Sequence, residues 1–252
     1  MIRHTFQILE RVSAAKEKLL WKSGISDWDA FLKEKSISLI SNSKKPYFDR
    51  KLLMAKRALN TGNSSYFSSI LPSPETWRLY NHFKDNAVYL DIEASRNRDI
   101  NVIGMYDGID TRTMVKDINL DYVKLSAELR KYQIIITFNG SSFDMPLIRK
   151  RKGILPDVPH IDLRHCCARI GMKGGLKEIE KNLGIKRREI ISSLHGGDAA
   201  TLWRMYMASG DKHYLEILVE YNEEDVISLK KIMGLCYDEL SNRMLSEMRQ
   251  KD

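Results

Sequence analysis

Two acids occupy alternate positions of an apolar run, AVYLDIEA at residues 87–94, and few folds can house them. The β-branched and aromatic content of the run predicts a strand. Residues two apart on a strand point to the same face. Asp91 and Glu93 therefore share one side, while Val88, Leu90 and Ile92 take the other. A strand this apolar belongs inside a sheet, where two like charges are costly to bury unless something positive compensates them. A divalent cation is one remedy. The alternative is an edge strand whose acids face water.

The surrounding pattern fixes the layout. NVIGMYDG (101–108) and TRTMVKDI (111–118) continue as a second and third strand, and the short links predict an antiparallel meander. NLDYVKLSAELRKY has helical spacing that puts Val123, Ala127 and Tyr132 near one face. QIIITF (133–138) is a fourth buried strand and PHIDLRH (159–165) a short fifth. GGLKEIEKNLGI is a brief helix, with Gly175 before it and Gly184 as its stop. From about Thr201 to Met248 the pattern is helical, broken near ASGDK. This order describes an α/β fold with a mixed five-stranded sheet flanked by helices.

Upstream, residues 1–60 read as helices. Leu9, Val12, Leu19 and Leu20 have rough helical spacing, and Ser26, three residues before Asp29, opens a capping-box pattern. FDRKLLMAKRALN is a second helical stretch, basic on its polar side. Residues 61–76 are rich in Ser, Gly and Pro and mark the boundary between an N-terminal helical accessory region (1–76) and a larger domain (77–252).

Composition removes several classes. At 252 residues and 43% hydrophobic content the chain can bury a large core. No apolar stretch approaches a membrane span, and the start, MIRHTFQILERV, lacks the apolar region of a secretory signal. The three cysteines, Cys166, Cys167 and Cys236, are too sparse and odd in number for a disulfide framework, so the expected location is cytoplasmic. Cys166 and Cys167 with His160 and His165 lack the second paired motif of a zinc site. The net charge is +8, and residues 1–60 hold 13 Lys and Arg against 6 Asp and Glu. A localised basic excess favours a polyanionic partner, nucleic acid before membrane; a solvated basic surface is the alternative.

Further acids follow the first pair. Asp144 lies in TFNGSSFDMP, where a strand ends in an Asn139–Gly140 turn and Phe143 seats the start of a helix; taken alone, Asp144 reads equally well as a helix cap. Asp225 lies in EYNEEDVISL, four residues after Tyr221 and on the same helix face. Read alone, Asp225 fits a solvated acidic face and Tyr221 a core position.

In combination, strand DxE, then NGxxFD, then YNxxD on a late helix resembles the DEDD superfamily of 3′–5′ exonucleases, built on the ribonuclease-H-like fold. The tyrosine variant is matched by Tyr221; the histidine variant needs His where Glu220 stands. The resemblance covers roughly residues 87–235, with the YprB-like branch nearer and the proofreading domains of family B DNA polymerases more distant. It implies that Asp91, Glu93, Asp144 and Asp225 bind two divalent ions, Mg²⁺ or Mn²⁺, and that Tyr221 orients the attacking water. It also implies that Asn139 and Phe143 contact the terminal nucleotide of DNA or RNA. RKRK (149–152), KRR (186–188) and Lys44, Lys45, Arg50, Lys51, Lys56 and Arg57 are candidate phosphate contacts. Trp21, Trp28, Trp77 and Trp203 could stack on bases or fill the core. Three functions stay open at this point: exonuclease, structure-directed endonuclease on the same fold, and a nucleic-acid-binding module with vestigial catalysis.

Overall fold

The computed structural model describes residues 1–188 and 198–249. Strands β1 (Ala87–Ala94), β2 (Ile100–Tyr106) and β3 (Thr111–Val115) form the antiparallel meander. Strand β4 (Ile134–Thr137) pairs parallel with β1, and β5 (His160–Asp162) parallel with β4. The sheet order is β3-β2-β1-β4-β5, so β1 is central and the edge-strand alternative for its acids is excluded. The architecture is the expected α/β fold on a mixed five-stranded sheet.

Alternation along β1 divides the core into two layers. Val88, Leu90 and Ile92 pack against α4 (Tyr122–Leu129) and α5 (Asp144–Arg149). Tyr89, with Ile134 and Ile136 of β4, packs against α9 (Lys212–Arg249). Between these lie α6 (Leu163–Arg169), α7 (Leu176–Asn182) and α8 (Asp198–Ser209). Gly210, in the left-handed region at φ 71°, breaks α8 from α9 within ASGDK. Among the described residues, no helix is long and apolar enough to cross a membrane.

Two expected faces are corrected. In α4 the buried pair is Leu125 and Leu129, while Val123 is 79% exposed and Ala127 lies outside. The Asp121 side chain accepts from the backbone of Val123 and Lys124, which fixes the start of the helix and turns the i, i+4 leucines inward. In the N-terminal region, Leu9 and Val12 precede α1 (Ala14–Lys22) instead of lying on it, and Leu19 is exposed. The cap of α2 (Trp28–Lys33) is Asp27, whose carboxylate accepts from Ala30 N–H at 2.8 Å, and not Ser26. Helix α3 spans Lys45–Asn60 and buries Phe48, Leu52, Ala55 and Leu59.

Residues 61–76 carry structure of their own. They hold a helical turn at Ser65–Ser68 and enter a 3₁₀ stretch at Ser73–Leu79. Phe67, Leu71 and Trp77 are buried, and the apolar cluster containing Phe6, Trp28 and Leu52 continues through them to Tyr89 and Met244. All four tryptophans are buried, so each serves the core.

A buried charge cluster ties the N-terminal segment to the sheet-bearing part. Glu17, 1% exposed, accepts from the Thr5 hydroxyl at 2.7 Å, Phe6 N–H at 2.6 Å and Gln7 Nε2 at 3.0 Å. Arg78 Nη2 donates to it at 2.8 Å, while Arg78 Nε holds Glu75 at 2.5 Å. Removing one partner of a buried pair leaves an uncompensated charge, at a cost of about 3–5 kcal/mol. Arg78→Met should therefore lower the unfolding free energy by an amount of that order, read from urea denaturation as a lower midpoint. A variant that unfolds with the wild type would show that the neutral donors alone suffice for Glu17.

Candidate metal centre

The site forms where the centre of β1 meets α9. Asp91 lies opposite Gly104 of β2 in the register, and Glu93 opposite Val102. Gly104 matters through what it lacks. A Cβ there would stand 2.0 Å from Asn222 Oδ1, so only glycine admits α9 this close. The fully buried Asn222 then donates from Nδ2 to Asp91 Oδ2 at 2.8 Å. Three residues on, Asp225 lies on the same face of α9 as Asn222, and it is buried. Single carboxylate oxygens of Asp91, Glu93 and Asp225 all lie within 4.8 Å of one another.

Asp144 comes in from the opposite side. Strand β4 ends in a turn where Asn139 adopts φ 62° and Gly140 packs its backbone on Thr137, leaving no room for a Cβ. Asp162 Oδ1 accepts from Asn139 N–H at 2.8 Å and its Oδ2 from Ser141 N–H at 3.0 Å, which holds the turn. Asp144 is 2% exposed, and its Oδ1 has no hydrogen-bond partner. Its negative charge raises the pKa of Asp91, so it stands close to the cluster without belonging to the tight group of three. Phe143 is half-buried against the core beside it, and Asn139 Oδ1 accepts from Arg164 at 2.8 Å.

The electrostatics reflect crowded like charges. Burial and then the Asp144 charge push the Asp91 carboxyl up to about 7. Burial lifts Asp144 to about 7 as well, against backbone amide contacts that pull it down. Glu93 and Asp225 are raised well above the carboxylate range by burial and by Asp91. Tyr221, 8% exposed, is pushed far up by burial and by Asp225, so its hydroxyl keeps its proton.

Among the described residues, the buried Arg187 answers this cluster, and the charge of Lys177 also acts on Glu93. Arg187 was read from sequence as part of a surface phosphate contact, but its side chain is 6% exposed and points inward. It grips Glu180 through Nε at 2.6 Å and Nη2 at 2.8 Å, pairs with Asp225, and lies 5.5 Å from the Tyr221 ring centroid. Its neighbour Arg188 pairs with Glu220. The N-terminal basic cluster is likewise partly engaged: Lys45 with Asp49, Lys51 with Glu10, and Lys56 with Asp29.

Sequence reasoning missed Asn222 and Arg187 as members of the site. The signal for Asn222 was its spacing of three from Asp225; nothing local marked Arg187. The cysteines take no part. Cys167 and Cys236 lie with sulfurs 3.6 Å apart in the core, and all three are free and buried. His160 accepts or donates to Thr137 Oγ1 at 2.9 Å and is pushed down to about 4 by burial. Among the described residues, Asp91, Glu93 and Asp225 are the group of His, Cys, Asp and Glu that could hold a metal ion. An all-oxygen donor set with an unpartnered buried Asp144 oxygen fits a hard divalent cation.

A family model described as the RNase_H superfamily matches residues 88–237. No curated protein and no solved structure matches the chain.

The raised carboxyls give a pH test. The folded protein keeps protons to about pH 7 at Asp91 that an unfolded aspartate releases near pH 4. The associated stability is present below about pH 4 and lost as pH rises toward 7. In chelator, the urea midpoint of Asp91→Asn relative to wild type should climb over that window; the opposing His160 contribution cancels in the difference. A difference that stays flat with pH would refute the crowding at Asp91.

Proposed function

The chain belongs to the RNase H superfamily, whose members are generally nucleases, and from this and its carboxylate cluster we propose that it removes nucleotides from the 3′ end of DNA or RNA. The observation that carries this reading is the convergence of Asp91, Glu93 and Asp225 with the buried Asp144 beside them. Their order along the chain, with Tyr221 four residues before Asp225, is that of the tyrosine variant of DEDD exonucleases.

Asp91, Glu93, Asp144 and Asp225 would hold two divalent ions, Mg²⁺ or Mn²⁺. When bound, such ions supply the Lewis acidity and positive charge that phosphodiester displacement requires. The protein's own groups do the rest. Asn222 fixes the Asp91 carboxylate, and Arg187 fixes that of Asp225. Tyr221 keeps its proton, so it acts as a hydrogen-bond donor that orients the attacking water and not as the base. Phe143 offers a half-buried ring to the terminal base. The Asn139 side-chain oxygen is held by Arg164, which leaves its amide nitrogen to face the nucleotide.

The test is direct. Purified protein is incubated with 5′-labelled DNA and RNA plus Mg²⁺, Mn²⁺ or chelator, and products are sized on gels. A 3′-to-5′ ladder that a blocked 3′ end prevents and Asp91→Asn abolishes is the expected result. Large internal fragments would indicate an endonuclease, and undegraded strands under every condition would sink the reading.

Tyr221→Phe should lower kcat by about 10²–10³, the cost of losing one preorganised hydrogen-bond donor, with KM nearly unchanged. Equal kcat for the two proteins would leave Tyr221 as packing.

A further inference from the structure

We propose that a basic cleft adjoining the metal centre holds the sugar-phosphate backbone of the single strand being degraded; the identity of this ligand rests on the nuclease reading above. The cleft has a volume of about 630 Å³. One wall is N-terminal, with Leu71, Pro74 and Thr76. The other is formed by the end of α5, the 151–159 loop and the start of α6. The N-terminal region thus supplies one wall of the cleft.

Four cations line the cleft: Arg149, Arg151, Lys152 and Arg169. Two acids also face it and keep their charge, so the lining holds four positive charges against two negative. Asp157 accepts from the Ser68 hydroxyl at 2.7 Å, and Asp162 accepts from the backbone of Asn139, Ser141 and Arg164. His160, held neutral by burial, adds no charge. Two cations have partners of their own: Arg169 pairs with Glu75 at 3.3 Å, and Arg151 lies 3.8 Å from the Tyr122 ring centroid. Arg149 and Lys152 are exposed, and among the described residues neither forms a hydrogen bond or an ion pair. Uncompensated positive charge in a cleft concentrates polyanions there.

Position then selects the ligand. Ser141 and Asp162 line the cleft; Ser141 belongs to the turn that presents Asp144, and Asp162 of β5 holds that turn. A strand whose end lies at the carboxylates and which crosses this turn runs into the cleft. Its floor is apolar at Met145, Leu155 and Val158, which suits sugars and bases between charged phosphate contacts.

The experiment measures binding in chelator, so it does not depend on catalysis. The full chain with Arg149→Gln and Lys152→Gln is compared with wild type for anisotropy of labelled oligo(dT) and oligo(U) across 50–200 mM salt. Each lost phosphate contact on a single strand should flatten the log K against log salt slope by about 0.7, so about 1.4 for the pair. Lys33→Gln with Lys35→Gln removes equal charge at and just beyond the end of α2 and should leave the slope unchanged. An unaltered slope in the cleft variant, an equal flattening in the α2 variant, or no salt-dependent binding by wild type would each overturn the proposal. A wild type that binds with the expected slope yet degrades nothing with Mn²⁺ sinks the nuclease reading and leaves the cleft standing. Normal degradation with an unaltered slope sinks the cleft alone.

Discussion

Three carboxylates crowded within 4.8 Å of one another are the constraint that the surroundings of the site must meet. Two unit charges 4 Å apart repel by about 4 kcal/mol at an effective dielectric near 20. A hydrogen bond to a charged group returns only about 1.5–3 kcal/mol. One such bond from Asn222 to Asp91 and one ion pair from Arg187 to Asp225 therefore offset part of the repulsion without cancelling it. Burial first, and at Asp91 the remaining repulsion after it, leaves carboxyls that hold protons well above their ordinary range. A bound cation would relieve that remainder, which is why the same arrangement reads as a site and not as a flaw.

Holding the acids together is the task of a few precise contacts between distant elements. Gly104 sets how near α9 approaches, and Glu223 fastens the same helix to β3 by accepting from Thr113 at 3.2 Å and Thr111 at 3.4 Å. The helix is thus located by polar contacts above β1 and β3, and by Leu229, Ile232 and Met233 in the core. On the far side, Asp162 fixes the turn that carries Asp144. The geometry of the centre is thus set by β1, by α9 and by a turn that Asp162 holds in place.

Much of this was legible in the chain because it follows from short-range rules. The period of two in AVYLDIEA separated its acids from its apolar residues, and the strand order followed from run lengths and turns. The grouping of Asp91, Glu93 and Asp225 was readable from their motifs. What stayed hidden depends on tertiary encounters. Asn222 looks like any polar helix residue until Gly104 is placed beneath it. Arg187 sits in a basic triplet that resembles a solvated surface, and only Glu180 and Asp225 turn it inward. The N-terminal lysines lost their apparent freedom to Glu10 and Asp29, partners that sequence spacing does not reveal. The error in α4 was of a different kind: a valine was preferred over two leucines because the capping role of Asp121 was not weighed.

The segment at Ser73–Leu79 lies along β5, the last strand on its side of the sheet. Thr76 donates to the His160 carbonyl at 3.0 Å, one of the backbone acceptors that a foreign strand would need. Open strand edges are templates for unwanted growth by strand addition. By covering this margin with its own chain, the protein guards a three-residue strand too short to defend itself, and self-association by sheet extension is obstructed on that flank.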